Sequence, residues 1–153
     1  MKLTNYTDYA LRVLMYLALK KEDELTTIQE IADAYHISKN HLMKIIHHLG
    51  KLEYIKTIRG RNGGFKLAKQ PKDINIGEVV SNTEDDFNIV ECFKEGGGYC
   101  SISPSCKLKH ALNEALKAFI NVLNGYTLED LVTNKSDLID LFRMQEQELE
   151  QGK

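Results

Sequence analysis

The segment from Thr27 to Gly50 constrains the fold more than any other stretch of the chain. Thr27 followed by Glu30 is a capping-box pair, and Ile28, Ile31, Ala32 and Tyr35 form the apolar stripe of a short helix. His36 and Ile37 leave room only for a tight turn. Ser38 is the next N-cap, and Leu42, Ile45, Ile46 and Leu49 recur at i, i+3, i+4 and i+7 until Gly50 supplies a stop. Two helices joined by so short a turn predict a DNA-binding helix-turn-helix. From Tyr54 the period changes. The β-prone runs Tyr54 to Arg59 and Phe65 to Ala68 flank Gly60-Arg61-Asn62-Gly63-Gly64, which predicts a hairpin with a basic tip. The expected fold is therefore mainly α with a small β wing, a winged helix-turn-helix domain followed by a long dimerisation helix.

Charge supports an anion-facing role for this part of the chain. The net charge of -2 hides an asymmetry: residues 1–73 carry 13 Lys/Arg against 8 Asp/Glu, and residues 74–153 carry 7 against 14. Within residues 36–72 there are 9 basic residues and the single acid Glu53. Removing the buried stripe from the second helix of the motif leaves Lys39, Asn40, His41, Lys44, His47, His48 and Lys51 facing outward. Lysines neutralise phosphates, and Asn40 can pair bidentately with an adenine edge. Thr27, Ser38 and the amides at helix N-termini suit phosphate anchoring. Arg59, Arg61 and Asn62 on the wing suit a narrow, electronegative minor groove. His47 and His48 diverge by about 100° on a helix, so a solvated or DNA-facing pair is favoured over a shared metal ion. Double-stranded operator DNA is the expected partner.

The flanking segments complete the organisation. A first helix is expected from about Thr7 to Lys21, with Leu11, Leu14, Leu17 and Ala18 on one face. Asn75 to Ser81 reads as a short helix and Asn82 to Asp86 as an acidic connector. Leu108, Leu112, Ala115, Phe119 and Val122 form a heptad-like seam that ends at Asn124-Gly125 and calls for a partner helix, so a homodimer is expected. Thr127 and Asp130 cap another short helix, Leu138, Ile139, Leu141 and Phe142 pack back, and Gln145 to Lys153 reads as a frayed charged tail. The expected division is residues 1–75 for DNA binding, 76–133 for a cysteine loop and dimerisation helix, and 134–153 for a C-terminal helix and tail. No secretory leader pattern opens the chain and no apolar run nears the roughly 18 to 20 residues that span a bilayer, so a cytoplasmic protein without a membrane partner is expected. Walker, dinucleotide and nucleophile-elbow motifs are missing, which argues against an enzyme.

Between these helices lie the only three cysteines, Cys92, Cys100 and Cys106, beside the triplet Gly96, Gly97 and Gly98. Thiolates confined to one glycine-bearing loop suit a soft metal, and an odd number argues against a disulfide framework. His110, one helical turn beyond Cys106, would complete a tetrahedral Cys3His zinc site. An iron-sulfur cluster is the other choice, and spacing alone leaves both open.

The segments LTNYTDYALRVLMYLA, SKNHLMKIIHHLGKLEYIKTIRGRNGGFKLAK, INIGEVV, TEDDFNIVEC and CSISPSCKLKHALNEALKAF, in order over residues 1–133, resemble nitric-oxide-sensitive iron-sulfur repressors of the BadM/Rrf-type winged-helix family. The resemblance implies a winged-helix dimer joined by the helix after the third cysteine. It also implies a 4Fe-4S cluster on Cys92, Cys100 and Cys106, with Asp8 of the partner subunit as fourth ligand. Alone, Asp8 reads as a first-turn acid favoured by the helix dipole. A related branch pairs three cysteines with a histidine, so His110 remains a rival. The implied function is repression, with nitric oxide as the signal: nitrosylation releases operator DNA and derepresses detoxification genes. Alternatives are a regulator of iron or cluster supply from the same family, or a zinc-stabilised DNA-binding module.

Overall fold

Helix α1 (Asn5–Ala18) is the element around which the others pack. In the structure, a computed structural model that describes residues 1–153, α1 meets α3, α4, α6 and the second wing strand. It therefore buries more than one face: Ala10, Val13 and Leu14 are fully enclosed, and Tyr16, Leu17 and Ala18 nearly so. Leu11, expected on the buried stripe, is only half-buried. The helix starts earlier than Thr7 because Thr4 is its N-cap, its hydroxyl accepting from the Thr7 N–H at 3.3 Å. It ends at Ala18, three residues before the predicted limit.

The helix-turn-helix is built from α2 (Ile28–Tyr35) and α3 (Lys39–Lys51). The predicted capping box is present: the Thr27 N–H donates to Glu30 at 2.6 Å, and the Glu30 N–H donates to the Thr27 hydroxyl at 3.3 Å. Thr27→Ala is expected to lower stability by about 1 kcal/mol, seen as a reduced urea midpoint with unchanged slope. His36 makes the turn in the left-handed region at φ 54°, which costs a non-glycine residue about 1–2 kcal/mol. Ser38 caps α3 as predicted, its side chain accepting from the His41 N–H at 3.4 Å. Gly50 is not the stop. The helix runs through it to Lys51, and the reversal falls at Glu53, φ 61°, where the Tyr54 N–H donates back to the Leu49 carbonyl at 3.0 Å.

Strands β1 (Ile55–Ile58) and β2 (Gly64–Leu67) form the predicted antiparallel hairpin, with Ile55 opposite Leu67 and Ile58 opposite Gly64. Thr26 adds a short rung beyond β2: its N–H donates to the Phe65 carbonyl and its carbonyl accepts from the Phe65 N–H, both at 2.9 Å. Glycine is required at 64, where a Cβ would lie 2.7 Å from the Thr26 carbonyl oxygen.

After the wing come α4 (Ile76–Thr83), α5 (Lys107–Asn124), α6 (Leu128–Leu131) and α7 (Lys135–Gln151). The acidic connector therefore begins at Glu84 rather than Asn82. Thr127 and Asp130 form the expected reciprocal cap. The predicted frayed tail is a correction: residues 145–151 continue α7, because Leu138, Ile139 and Phe142 pack on the core and extend the helix through them. α4 and α5 cross at Gly77, where a Cβ would fall 2.8 Å from the Asn124 backbone nitrogen. One cluster of buried apolar residues, from Ala10 to Val132, holds these elements together. No helix is long and apolar enough to cross a membrane.

Candidate nucleic-acid interface and thiol loop

The two faces of α3 are separated by burial. Leu42, Ile45, Ile46 and Leu49 point into the core, while Lys39, Asn40, His41, Lys44 and His47 are exposed. Met43 is exposed among them, a residue that polarity alone does not single out. Ser38 and Thr27 sit at the N-termini of α3 and α2, both exposed. Arg59, Arg61 and Asn62 are exposed at the wing tip, where Gly60 takes φ 119°. The structure thus leaves open one basic helix and one basic hairpin.

His48 departs from the expected outward pair. It is half-buried, and its Nδ1 lies 2.9 Å from the Tyr6 hydroxyl, which also lies 3.5 Å from the Lys44 carbonyl. Tyr9 of α1 places its ring 6.4 Å from that of His41. Burial, and secondarily the charge of Asp85, raises the Tyr6 pKa, so the phenol stays protonated and able to donate. The signal that could have revealed this contact is the Tyr6/Tyr9 pair, three residues apart and therefore on one face of α1.

Asp8 lies between those tyrosines in sequence. Arg12 donates to both its oxygens, from Nη2 at 2.8 Å and Nε at 3.1 Å, and the pair is partly exposed. The Arg12 guanidinium also sits 5.7 Å from the Tyr9 ring centre and 5.8 Å from that of Tyr35. Burial lifts the Tyr35 phenol to about 12, so it stays neutral.

The cysteine loop is anchored at both ends. Cys92 is half-buried in a 3-10 turn, Glu91–Phe93, and shares a shallow hollow with Lys109, His110 and Asn113. Cys106 is the N-cap of α5, its Sγ accepting from the Lys109 N–H at 3.4 Å. Cys100 is exposed between them, after Gly96, Gly97 and Gly98, all with positive φ. All three thiols are free. Their chemistry fits a soft metal centre. Within the single chain no three metal-ligating side chains converge, the three thiols included.

A winged helix whose exposed face is basic defines a DNA-binding protein. The chain belongs to the Rrf2 family, described as an iron-dependent transcriptional regulator, whose model matches residues 3–134. It is 62% identical over 146 residues to the HTH-type transcriptional regulator NsrR of Bacillus subtilis, covering 95% of this chain and all of that one. Solved structures share the fold: CymR, the global cysteine regulator of B. subtilis, at TM-score 0.67 and 26% identity over 88% of this chain and 98% of that one, and T. potens IscR at TM-score 0.69 and 23% identity over 88% of each. The chain is a transcriptional regulator, not an enzyme.

Proposed function

We propose that this chain is a cytoplasmic homodimeric repressor that binds a two-fold operator and senses nitric oxide through a 4Fe-4S cluster held by Cys92, Cys100 and Cys106. The observation that carries the reading is the presence, in one chain, of an exposed basic winged helix and three free thiols on a glycine-bearing loop anchored to α5. The likeness to NsrR regulators supports it. When bound, the cluster supplies iron that can take a small neutral diatomic ligand.

In this reading residues 1–75 bind DNA, residues 76–133 hold the thiol loop and dimerise, and residues 134–153 form the C-terminal helix and tail. Lys39 and Lys44 neutralise phosphates, Asn40 meets an adenine edge, His41 and His47 flank it, and Arg59, Arg61 and Asn62 enter the minor groove. Thr27 and Ser38 anchor phosphates at their helix N-termini. α5 supplies the dimer contact: it has no fully buried residue, and Leu108 and Val122 are 66% and 61% exposed. Asp8 from the partner subunit is the fourth ligand, with His110 as the alternative. Recruiting Asp8 means giving up its partly exposed pair with Arg12, which costs about 1 kcal/mol or less. A hundredfold change in operator affinity needs only about 2.7 kcal/mol of difference between two states.

The test is anaerobic purification with iron, sulfide and zinc assays, followed by nitric oxide titration of the DNA-bound protein. About four irons and four sulfides per chain, with DNA released by nitric oxide, is the expected result. A colourless protein with about one zinc per chain points instead to the Cys3His module. Release on iron depletion but not by nitric oxide points to a regulator of iron or cluster supply.

A further inference from the structure

α7 lies beyond the family match, which ends at residue 134. It nevertheless touches the helix-turn-helix where α2 gives way to α3. The Phe142 ring meets Tyr16 of α1 at 5.4 Å and Tyr35 of α2 at 5.3 Å, edge to face at 75° and 89°. One turn further on the same face, the Gln145 amide lies 2.6 Å from His36 Nε2, its N–H donating to the imidazole nitrogen. Tyr35 is the last residue of α2, and His36 is the left-handed turn residue itself.

α2 needs such support. It has eight residues and buries only Ile31 and Ala32. A helix so short is not held by its own propensity. The aromatic contact packs the last residue of α2 against α1 and α7, and the Gln145 bond holds the side chain of the turn residue, whose left-handed backbone conformation is unfavourable.

We infer that α7 is an intramolecular strap that fixes the α2–α3 turn, with Phe142 and Gln145 as positioning residues for operator binding. The inference rests on the reading of α3 as the DNA-recognition helix. α3 has 13 residues, about 20 Å of length. Its C-terminal end is held by buried Leu49 and Tyr54, so a tilt of about 5° about that end displaces the first turn, which carries Asn40, by about 1.4 Å. Hydrogen bonds to base edges do not survive displacements of that size. The opposite face of α7 provides a control, since Leu141 and Met144 are 62% and 59% exposed.

The test uses full-length protein and a duplex selected from a random-sequence library by the wild type. Phe142→Ala is expected to weaken binding about tenfold with the salt slope unchanged, because no phosphate-neutralising cation is lost. Leu141→Ala should bind as wild type. Gln145→Ala should weaken binding about threefold. In a His36→Gly background it should have no further effect, since glycine adopts the left-handed turn freely. A folded Phe142→Ala protein with wild-type affinity overturns the strap, as does a Gln145→Ala effect that is the same in both backgrounds. If Phe142→Ala does not fold, the Gln145 and His36 variants decide. Asn40→Ala and Lys44→Ala report on the recognition helix separately: unchanged binding by both overturns that reading and the strap with it.

Discussion

Replacing Cys92, Cys100 or Cys106 singly by Ala is expected to remove bound iron and sulfide, and with them the release of DNA by nitric oxide. The three thiols differ in setting. Cys92 is half-buried against α5, Cys100 is exposed, and Cys106 also caps a helix through its contact with the Lys109 N–H. A structural role would therefore give three different outcomes, with Cys100→Ala nearly silent. A shared metal centre gives one outcome at all three positions. Cys106→Ser sharpens the distinction, because a hydroxyl caps α5 at least as well as a thiol but is a harder and poorer donor to a cluster iron. That variant should keep the wild-type melting temperature and lose the iron. Asp8→Ala is expected to retain iron but change the rate of reaction with nitric oxide. Any cysteine variant that keeps a full complement of iron and sulfide would remove that residue from the site.

The helix-turn-helix was legible because its signals are local. Thr27/Glu30 and Ser38 cap α2 and α3, and Leu42, Ile45, Ile46 and Leu49 are all buried. The wing was legible for the same reason, through its glycines and β-prone flanks. Errors arose where a contact that the residue pattern does not encode overrode a local signal. Gly50 looked like a terminator, yet the return bond from Tyr54 to Leu49 carries the reversal to Glu53. The polar run after Gln145 looked frayed, but Phe142 finds Tyr16 and Tyr35, more than a hundred residues earlier, and α7 continues past it. His48 looked solvated because nothing near it in sequence discloses the Tyr6 hydroxyl. The candidate site divides along the same line. The outward residues of α3 followed from the helical period, whereas the hold of Arg12 on Asp8 joins two exposed groups one turn apart that any surface helix could carry. The cysteines stood out in the sequence by their type and their confinement to one glycine-bearing loop, but how the thiols sit relative to one another depends on loop geometry that spacing does not specify, and within the single chain they do not form one group.

Leu42→Ala and Asn40→Ala, two residues apart on α3, are expected to fail in opposite ways. Leu42 is wholly enclosed by the core. Its truncation leaves a cavity and should cost about 2–5 kcal/mol, a large fraction of the roughly 5–15 kcal/mol that holds a domain together. Urea unfolding should show a much lower midpoint, and the surviving folded protein should still prefer its selected duplex. Asn40 is exposed in the first turn of the same helix, and its side chain makes no hydrogen bond within the chain. Its truncation should change stability by no more than about 0.5 kcal/mol. What it should lose is base discrimination worth about 1–3 kcal/mol, a loss of roughly 5- to 150-fold on the selected duplex and less on nonspecific DNA. Measuring unfolding and DNA binding on both variants separates the face of α3 that builds the domain from the face proposed to read DNA. Equal losses on specific and nonspecific duplexes for Asn40→Ala would place that residue on a phosphate rather than a base.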